Sequence, residues 1–378
     1  MLAETVRTLR ESCHEFPLPS SSAEPNGRPH ISRLGSISAG TGNVTAVRAE
    51  RHTLHFGGVA GEQPAGLSSV ADAKVCLLQW AKAKPENLAS KGLFMLGKSV
   101  QRVLRRPVLA LTTAASDPLE AWAAFQDRNA EHREGPTPPD LYKADADWEQ
   151  RLHRLLGCPY PCKVSSEFWA LWPEVIEGLE RKGVRAGPLS FKGWNDGDAA
   201  LVRSIWCLTR HLQPGNVVET GVAHGVTSRF ILEALDRNGS GHLWSIDHPP
   251  LEPEWHEQIG MAVDGRFPDR WSYISGSSRR RLPELLAQLH EIDLFVHDSL
   301  HSEHNVRFEV DRAWAALRPG GAVVIDDIDA NRGFWSFTRS LPGLQSLVCE
   351  AEPLHPDLRR FNKKGLFGVI LKEPNHTN

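Results

Sequence analysis

Glu219, Asp247, Asp298, Asp326 and Asp327 each end or follow a short apolar run, and His301 stands three residues beyond Asp298. Carboxylates at strand ends in that order can hold a nucleoside and a cation. The stretch NVVETGVAHG, then VTSRFILEALDRNGSG, then HLWSID (Asn216 to Asp247) gives a strand, a tight turn, an amphipathic helix and a second strand. That is one βαβ unit, whose ligands bind outside the carboxyl ends of its strands. Gly221 and Gly225 allow a sharp turn and close approach of the backbone to a ligand. Val226, Thr227 and Ser228 open the helix, whose free N–H groups can receive a carboxylate. Asp247 lies 22 residues beyond Gly225, about where an acid accepts two ribose hydroxyls. The spacing is G-x-x-x-G rather than G-x-G-x-x-G, so a nucleoside suits the turn better than NAD. The plain alternative is a βα turn that needed glycine.

Asp298 follows IDLFV-His297, and Asp326 with Asp327 follows AVVI. Neighbouring strands would bring these three carboxylates to one edge beside the Glu219 turn. Like charges so close are costly unless a cation is shared. A hard divalent ion with oxygen ligands and retained waters, Mg²⁺ foremost, would resolve the repulsion. An imidazole at His301 can then take a proton from a hydroxyl held on the metal. The competing reading makes Asp298 and Asp327 helix or turn caps and His301 an exposed loop residue.

The elements that must position these groups alternate regularly. Asp198 can cap a helix over 199–211 that leads into the Asn216 strand. After Asp247 a helix is expected within 253–263, a strand over WSYIS (271–275) and a helix at 281–290. IDLFVHD (292–298) is nearly all apolar, as a strand buried on both faces must be. Glu303 to Leu317 is a helix stopped by Arg318-Pro319-Gly320-Gly321, which is turn chemistry. AVVIDD (322–327), a strand within 344–351 and GLFGVILK (365–372) complete an open α/β sheet, mostly parallel, with helices on both faces.

The first half differs. Residues 1–94 are rich in Ser, Gly and Pro in SSSAEPNGRPHISRLGSISAGTGNVTA and are expected to be largely disordered. A helix fits 69–84 without an evident partner. The second methionine is Met95, and a basic helix-like stretch follows it, so natural translation is expected to begin there. Residues 95 to about 135 should be helical, with Val100, Val103, Leu104, Trp122 and Phe125 as apolar anchors. Arg102, Arg105 and Arg106 form a cluster that fits a solvated helix face better than a membrane surface. GPTPPD (135–140) is a linker. Pro173 can start a helix from Glu174 to Lys182, and FKGWNDGD (191–198) is a loop. The chain thus divides into 1–94, a helical N-terminal or cap region at 95–189, and a ligand-binding domain at 190–378.

Of 378 residues, 43 are Lys or Arg and 46 Asp or Glu, a formal net charge of −3. Nothing global invites nucleic acid or an anionic membrane as partner. The six cysteines are spread out, and the close pair Cys158 and Cys162 flanks Pro-Tyr-Pro without a second pair at zinc-ligand spacing. They are expected to be reduced thiols of a cytoplasmic protein. The N-terminus lacks the apolar core of a signal peptide, and no run of 18 apolar residues suggests a membrane span.

Taken together, ETGVAHGVTS, the acid of LWSID, GSS at 276–278, VHDSLH and RPGGAVVIDD resemble a class I S-adenosylmethionine-dependent O-methyltransferase. The closer likeness is to metal-dependent members, the catechol and the macrocin-type sugar O-methyltransferases, over roughly 190–372. The resemblance implies a Rossmann-like seven-stranded sheet of order 3-2-1-4-5-7-6 with the last strand antiparallel, S-adenosylmethionine as cofactor and Mg²⁺ or a similar ion as metal. It assigns Glu219, Gly221, Gly225, Thr227, Asp247 and Ser278 (adenine side) to the cofactor, Asp298, Asp326 and Asp327 to the metal, and His301 with Asp298 to catalysis. Catechol enzymes carry Asp-Asn where this chain has Asp326-Asp327, and lysine where it has His301, which favours the sugar-modifying relatives. Residues 160–198, with Trp169, Trp172 and Trp194, would cover the site, and Trp194 is the substrate candidate from its Gly-flanked loop. Relatives of this kind commonly self-associate, with 95–150 the natural place.

Three other functions compete. A protein of this fold could bind a nucleoside without catalysis, but the acid trio with His301 speaks against it. A dehydrogenase is disfavoured by the glycine spacing. Metal-independent transfer to nitrogen or carbon stays open. The acceptor, a small-molecule hydroxyl on a sugar or other natural product, is not fixed by sequence.

Overall fold

The computed structural model describes residues 110–112, 114–138, 140–184, 197–354 and 365–374, all within the unit Ala65–Asn378. The expectations for 1–94, for Val100, Val103 and Leu104, for the arginines at 102–106 and for Trp194 lie outside them.

Seven strands form one sheet: β1 (Asn216–Thr220), β2 (His242–Asp247), β3 (Trp271–Ser275), β4 (Ile292–His297), β5 (Leu317–Ile325), β6 (Gln345–Glu350) and β7 (Leu366–Leu371). Their order is β3-β2-β1-β4-β5-β7-β6. The first five pair in parallel and β7 runs antiparallel to β5 and β6, as the family resemblance implied. Residues of opposite parity enter opposite cores. Val217, Leu294, Val296, Ala322 and Val324 share one cluster, whereas Val218, Phe295, Val323 and Ile325 share the other. Burial on both faces is why these strands are apolar without alternation.

Helices cover both faces. On one side lie α1 (Pro118–Glu131), α6 (Ser278–Leu289), α7 (Glu303–Ala316) and α8 (Gly333–Ser340); on the other lie α2 (Trp148–Leu155), α3 (Lys163–Arg181), α4 (Ala199–Leu212) and α5 (Val226–Asn238). Asp198 caps α4 as its position suggested, accepting from the Ala200 and Leu201 amides. That helix packs Leu201, Ile205 and Leu208 on the sheet and Val202 and Trp206 on α3 and α5. It is buried on both sides.

Four local expectations are corrected. Pro173 sits inside α3 rather than at a helix start. The stripe Phe168, Leu171, Trp172, Val175, Ile176 and Leu179 is buried continuously across it, so packing outweighs the hydrogen bond that proline removes. Trp172 is thereby core rather than cover, while Trp169 is half-exposed. The helix at 253–263 is only a 3₁₀ turn at Pro253–Gln258. The next residues donate instead to the turn after β1, from Gly260 to the Ala223 carbonyl and from Ala262 to that of His224. RPGG is part of β5 rather than a turn, because Gly320 donates to the Lys372 carbonyl and Lys372 to that of Gly321, extending the ladder with the β7 end.

Helix α1 turns a different face inward than its apolar residues suggested. Trp122 and Phe125 are 58% and 57% exposed, stacked on each other with ring centroids 5.5 Å apart. The buried positions are Glu120, Ala123 and Asp127. Their partners are arginines of α6: Arg280 lies 2.8 Å from Glu120 Oε2, and Arg279 Nε donates to Asp127 Oδ1 at 2.7 Å. Charge pairing on the α6 side, rather than apolar packing, decides which face of α1 turns inward. Among the described residues no helix is long and apolar enough to cross a membrane.

Candidate active site

The turns after β1, β2, β4 and β5 leave the sheet at its C-terminal edge, tied to one another through the backbone. Gly221 donates to the Ile246 carbonyl, Asp298 to that of Thr220, and Asp326 to that of His297. Gly221 has φ +88°, and a Cβ there would collide with the Asp298 carbonyl oxygen. A Cβ on Gly225, at φ +79°, would fall 2.7 Å from the Gly260 Cα. The close approach each glycine permits is therefore to another stretch of this chain. Gly225 is also the N-cap of α5 and offers its first turn no side-chain hydrogen bond. The N–H groups of that turn have no partner within the helix.

Glu219 is fully buried beneath the turn. Its Oε2 accepts from Ser228 Oγ at 2.6 Å and Ser245 Oγ at 2.7 Å, while Oε1 has no hydrogen-bond partner. Burial pushes its carboxyl up to about 8 against the pull of the two hydroxyls. Asp247 Oδ2 accepts from the Val222 and Ala223 amides at 3.1 and 3.0 Å. It thus braces the glycine turn. Thr227 is half-buried at the second position of α5, next to the buried Ser228.

Ser278 opens α6, but the amide of the preceding Ser277 is taken at 2.6 Å by Glu120 Oε1 from α1. Opposite Asp247 in register stands Ser275. Ser275 borders a cavity of about 440 Å³ lined also by Pro249, His256, Ile259, Trp271 and Tyr273. The aromatic rings of this cavity escaped the sequence reading because β3 looked like an ordinary strand.

Beyond β4 and β5 the acids converge with His301. One ligand atom each of Asp298, His301 and Asp326 lies within 4.8 Å of the other two. Asp327 is outside that group. It has φ +48°, which turns it toward His301, whose Nδ1 lies 2.8 Å from Asp327 Oδ2. His301 Nε2 is 3.6 Å from Asp298 Oδ1. Burial alone would lower the His301 pKa, but the Asp298 and Asp327 carboxylates override it and hold the ring well above its ordinary value. Asp326 is raised well above the usual carboxylate range, by burial first and then by Asp327 and Asp298. Two carboxylates at this spacing suit a hard divalent cation with oxygen ligands, with the imidazole beside it.

A buried network under the β4 tip was not foreseen. Glu309 of α7 accepts from Thr220 Oγ1 and pairs with His297 Nδ1, both at 2.6 Å, and its other oxygen accepts from Ser299 and Asn305. Burial would raise this carboxyl, but the adjacent His297 ring outweighs it and the pKa is about 2. The network fixes the loop that carries Asp298 and His301. The sequence holds little signal for it, because α7 is rich in charged residues and nothing sets Glu309 apart from the others.

Residues 218–328 match a family model described as a methyltransferase domain. With the sheet order above, that match defines this part of the chain as a class I, S-adenosylmethionine-dependent methyltransferase. No curated protein sequence matches the chain. Among solved structures it is similar to an O-methyltransferase from Bacillus cereus in complex with SAH, at 15% identity over 60% of this chain and 97% of that one, TM-score 0.38. It is also similar to the O-methyltransferase TomG from Streptomyces achromogenes, involved in tomaymycin synthesis, at 14% identity over 56% and 90%, TM-score 0.39.

Proposed function

We propose that the enzyme methylates a hydroxyl of a small molecule, a sugar or another natural product, with a divalent cation at the acid cluster. The observation that carries this reading is the convergence of Asp298, His301 and Asp326 within 4.8 Å, where the Asp298 carbonyl lies against the Gly221 turn. Asp298 and Asp326 would hold the ion, with Asp327 as a further oxygen donor. A divalent cation bound there lowers the pKa of an acceptor hydroxyl. His301 would take the hydroxyl proton on Nε2, with Nδ1–H kept on Asp327, a tautomer the 2.8 Å contact supports. The Gly221 turn, Thr227 and the α5 amides would hold the methionine end of the donor. Asp247, which braces the Gly221 turn from the end of β2, would meet the ribose, and the cavity by Trp271 and Tyr273 suits the adenine. Ser278, which follows the Ser277 whose amide Glu120 takes, is the weaker adenine-side residue. The chain's part in the rate is positioning, which supplies much of the acceleration in such reactions.

Transfer without a metal is the second reading, and one observation favours it: Asp298 and Asp327 already satisfy a protonated His301 between them. Calorimetric titration of S-adenosylmethionine, with Mg²⁺ and with EDTA, followed by an acceptor screen on hydroxylated natural products, separates the two. In the metal-dependent case the Asp326→Ala, Asp327→Ala double variant binds the donor normally and loses turnover. Turnover unchanged in EDTA would overturn that reading, and no donor binding in either buffer would overturn the cofactor sites.

A further inference from the structure

Far along the chain from the acid cluster, the end of α2, the loop to α3 and the last turn of α4 bring two imidazoles and two thiols together. His153 lies in α2 and is fully buried, Cys162 is the N-cap of α3, and His211 lies in the last turn of α4. Proton positions follow from the partners. His153 Nδ1 is 2.7 Å from the Glu149 carbonyl oxygen, which only accepts, so Nδ1 carries the proton and Nε2 a lone pair. That Nε2 is buried and has no hydrogen-bond partner. Desolvating an acceptor without a partner is unfavourable, so the orphan needs a reason.

The reason lies in what it faces. One ligand atom from each of His153, Cys162 and His211 lies within 4.8 Å of the other two. Cys162 Sγ is 3.2 Å from His211 Nε2, and Cys158 Sγ is 3.2 Å from His211 Nδ1. Cys158 Sγ also donates to the Leu156 carbonyl at 3.4 Å, so His211 Nδ1–H can donate to that sulfur, which leaves its Nε2 bare. Two imidazole lone pairs and one thiol then converge, each ring held from behind by a hydrogen bond on its other nitrogen. That is how metal-bound histidines are commonly supported. A thiol at a helix N-terminus is also where a thiolate is stabilised.

We propose that His153 Nε2, Cys162 Sγ and His211 Nε2 bind a zinc ion, with Cys158 positioning His211. Nitrogen and sulfur donors select zinc over the hard cations suited to the acid cluster. Binding releases the Cys162 proton to solvent and ties three helix ends together, a structural role separate from methyl transfer.

The test uses the full chain, loaded with zinc, dialysed and analysed by plasma mass spectrometry, then exchanged to Co²⁺ for absorption spectroscopy. The expected result is about one tightly held zinc per chain and an intense thiolate-to-cobalt band in the near ultraviolet. Both are lost in Cys162→Ser, while the band persists in the Asp326→Ala, Asp327→Ala variant. The wild-type cobalt spectrum decides even if Cys162→Ser does not fold: absence of the thiolate band overturns the proposal. So does an unchanged zinc content in a folded Cys162→Ser protein.

Discussion

Glu219 is an acid whose folded state holds its proton, which makes a measurable pH signature. Its carboxyl titrates at about 8 against an ordinary 4.5. Between those values the folded protein binds more protons than the unfolded chain, so stability falls as pH rises, by up to about 1.4 kcal/mol per pH unit. From pH 5 to pH 7 the loss from this one group is on the order of 2–3 kcal/mol. Glu219→Gln removes the titration. Its amide oxygen can keep the Ser228 and Ser245 hydroxyls, while its NH₂ replaces the unpartnered Oε1, a pH-independent penalty of about 1–3 kcal/mol. Urea unfolding of both proteins at pH 5 and pH 7, without S-adenosylmethionine, gives four stabilities. His301 and Asp326 titrate in both proteins, so the difference between them isolates Glu219. The variant should gain on the wild type by roughly 2–3 kcal/mol between pH 5 and pH 7. An unchanged gap would refute the claim that burial keeps Glu219 protonated.

Two further substitutions probe the frame of the site. Gly221→Ala combines a left-handed backbone with a collision at the Asp298 carbonyl, and should lower stability by about 3 kcal/mol or more; a wild-type melting temperature would contradict that geometry. Glu309→Ala leaves His297, Thr220, Ser299 and Asn305 without their shared acceptor and should cost about 3–5 kcal/mol at neutral pH. Because the Glu309 carboxyl sits at about 2, the wild type's advantage should be full above about pH 4.5 and shrink as the acid range is entered. A gap that does not narrow in acid unfolding experiments would mean the advantage is packing rather than charge.

The sheet was legible because five strands buried on both faces leave apolar runs that no solvated element tolerates. The strand ends then located Glu219, Asp247, Asp298 and Asp326 with little further information. What escaped the sequence is pairing across distance. Glu309 meets His297 only because α7 packs along β4. Glu120 and Ser277 are separated by 157 residues, and nothing local in α1 says that its acids face inward while Trp122 and Phe125 face out. Helix α8 was not anticipated, and Gly333 lets it start against Val306, a fit that only the fold reveals. Asp327 looked equivalent to Asp326, and only its left-handed backbone separates their roles.

The segment around α1 supplies two carboxylates to helix starts that lie far downstream of it in the chain. Glu120 takes the Ser277 amide at the start of α6, and Glu134 takes those of Glu303 and His304 at the start of α7. Those two helices begin where the loops after β3 and β4 end. The boundary of the catalytic unit therefore does not coincide with the first strand, nor with the residues 218–328 that carry the domain signature. Any shortened chain meant to keep the site intact must begin upstream of Asp117, or two acceptors vanish from the far side of the sheet.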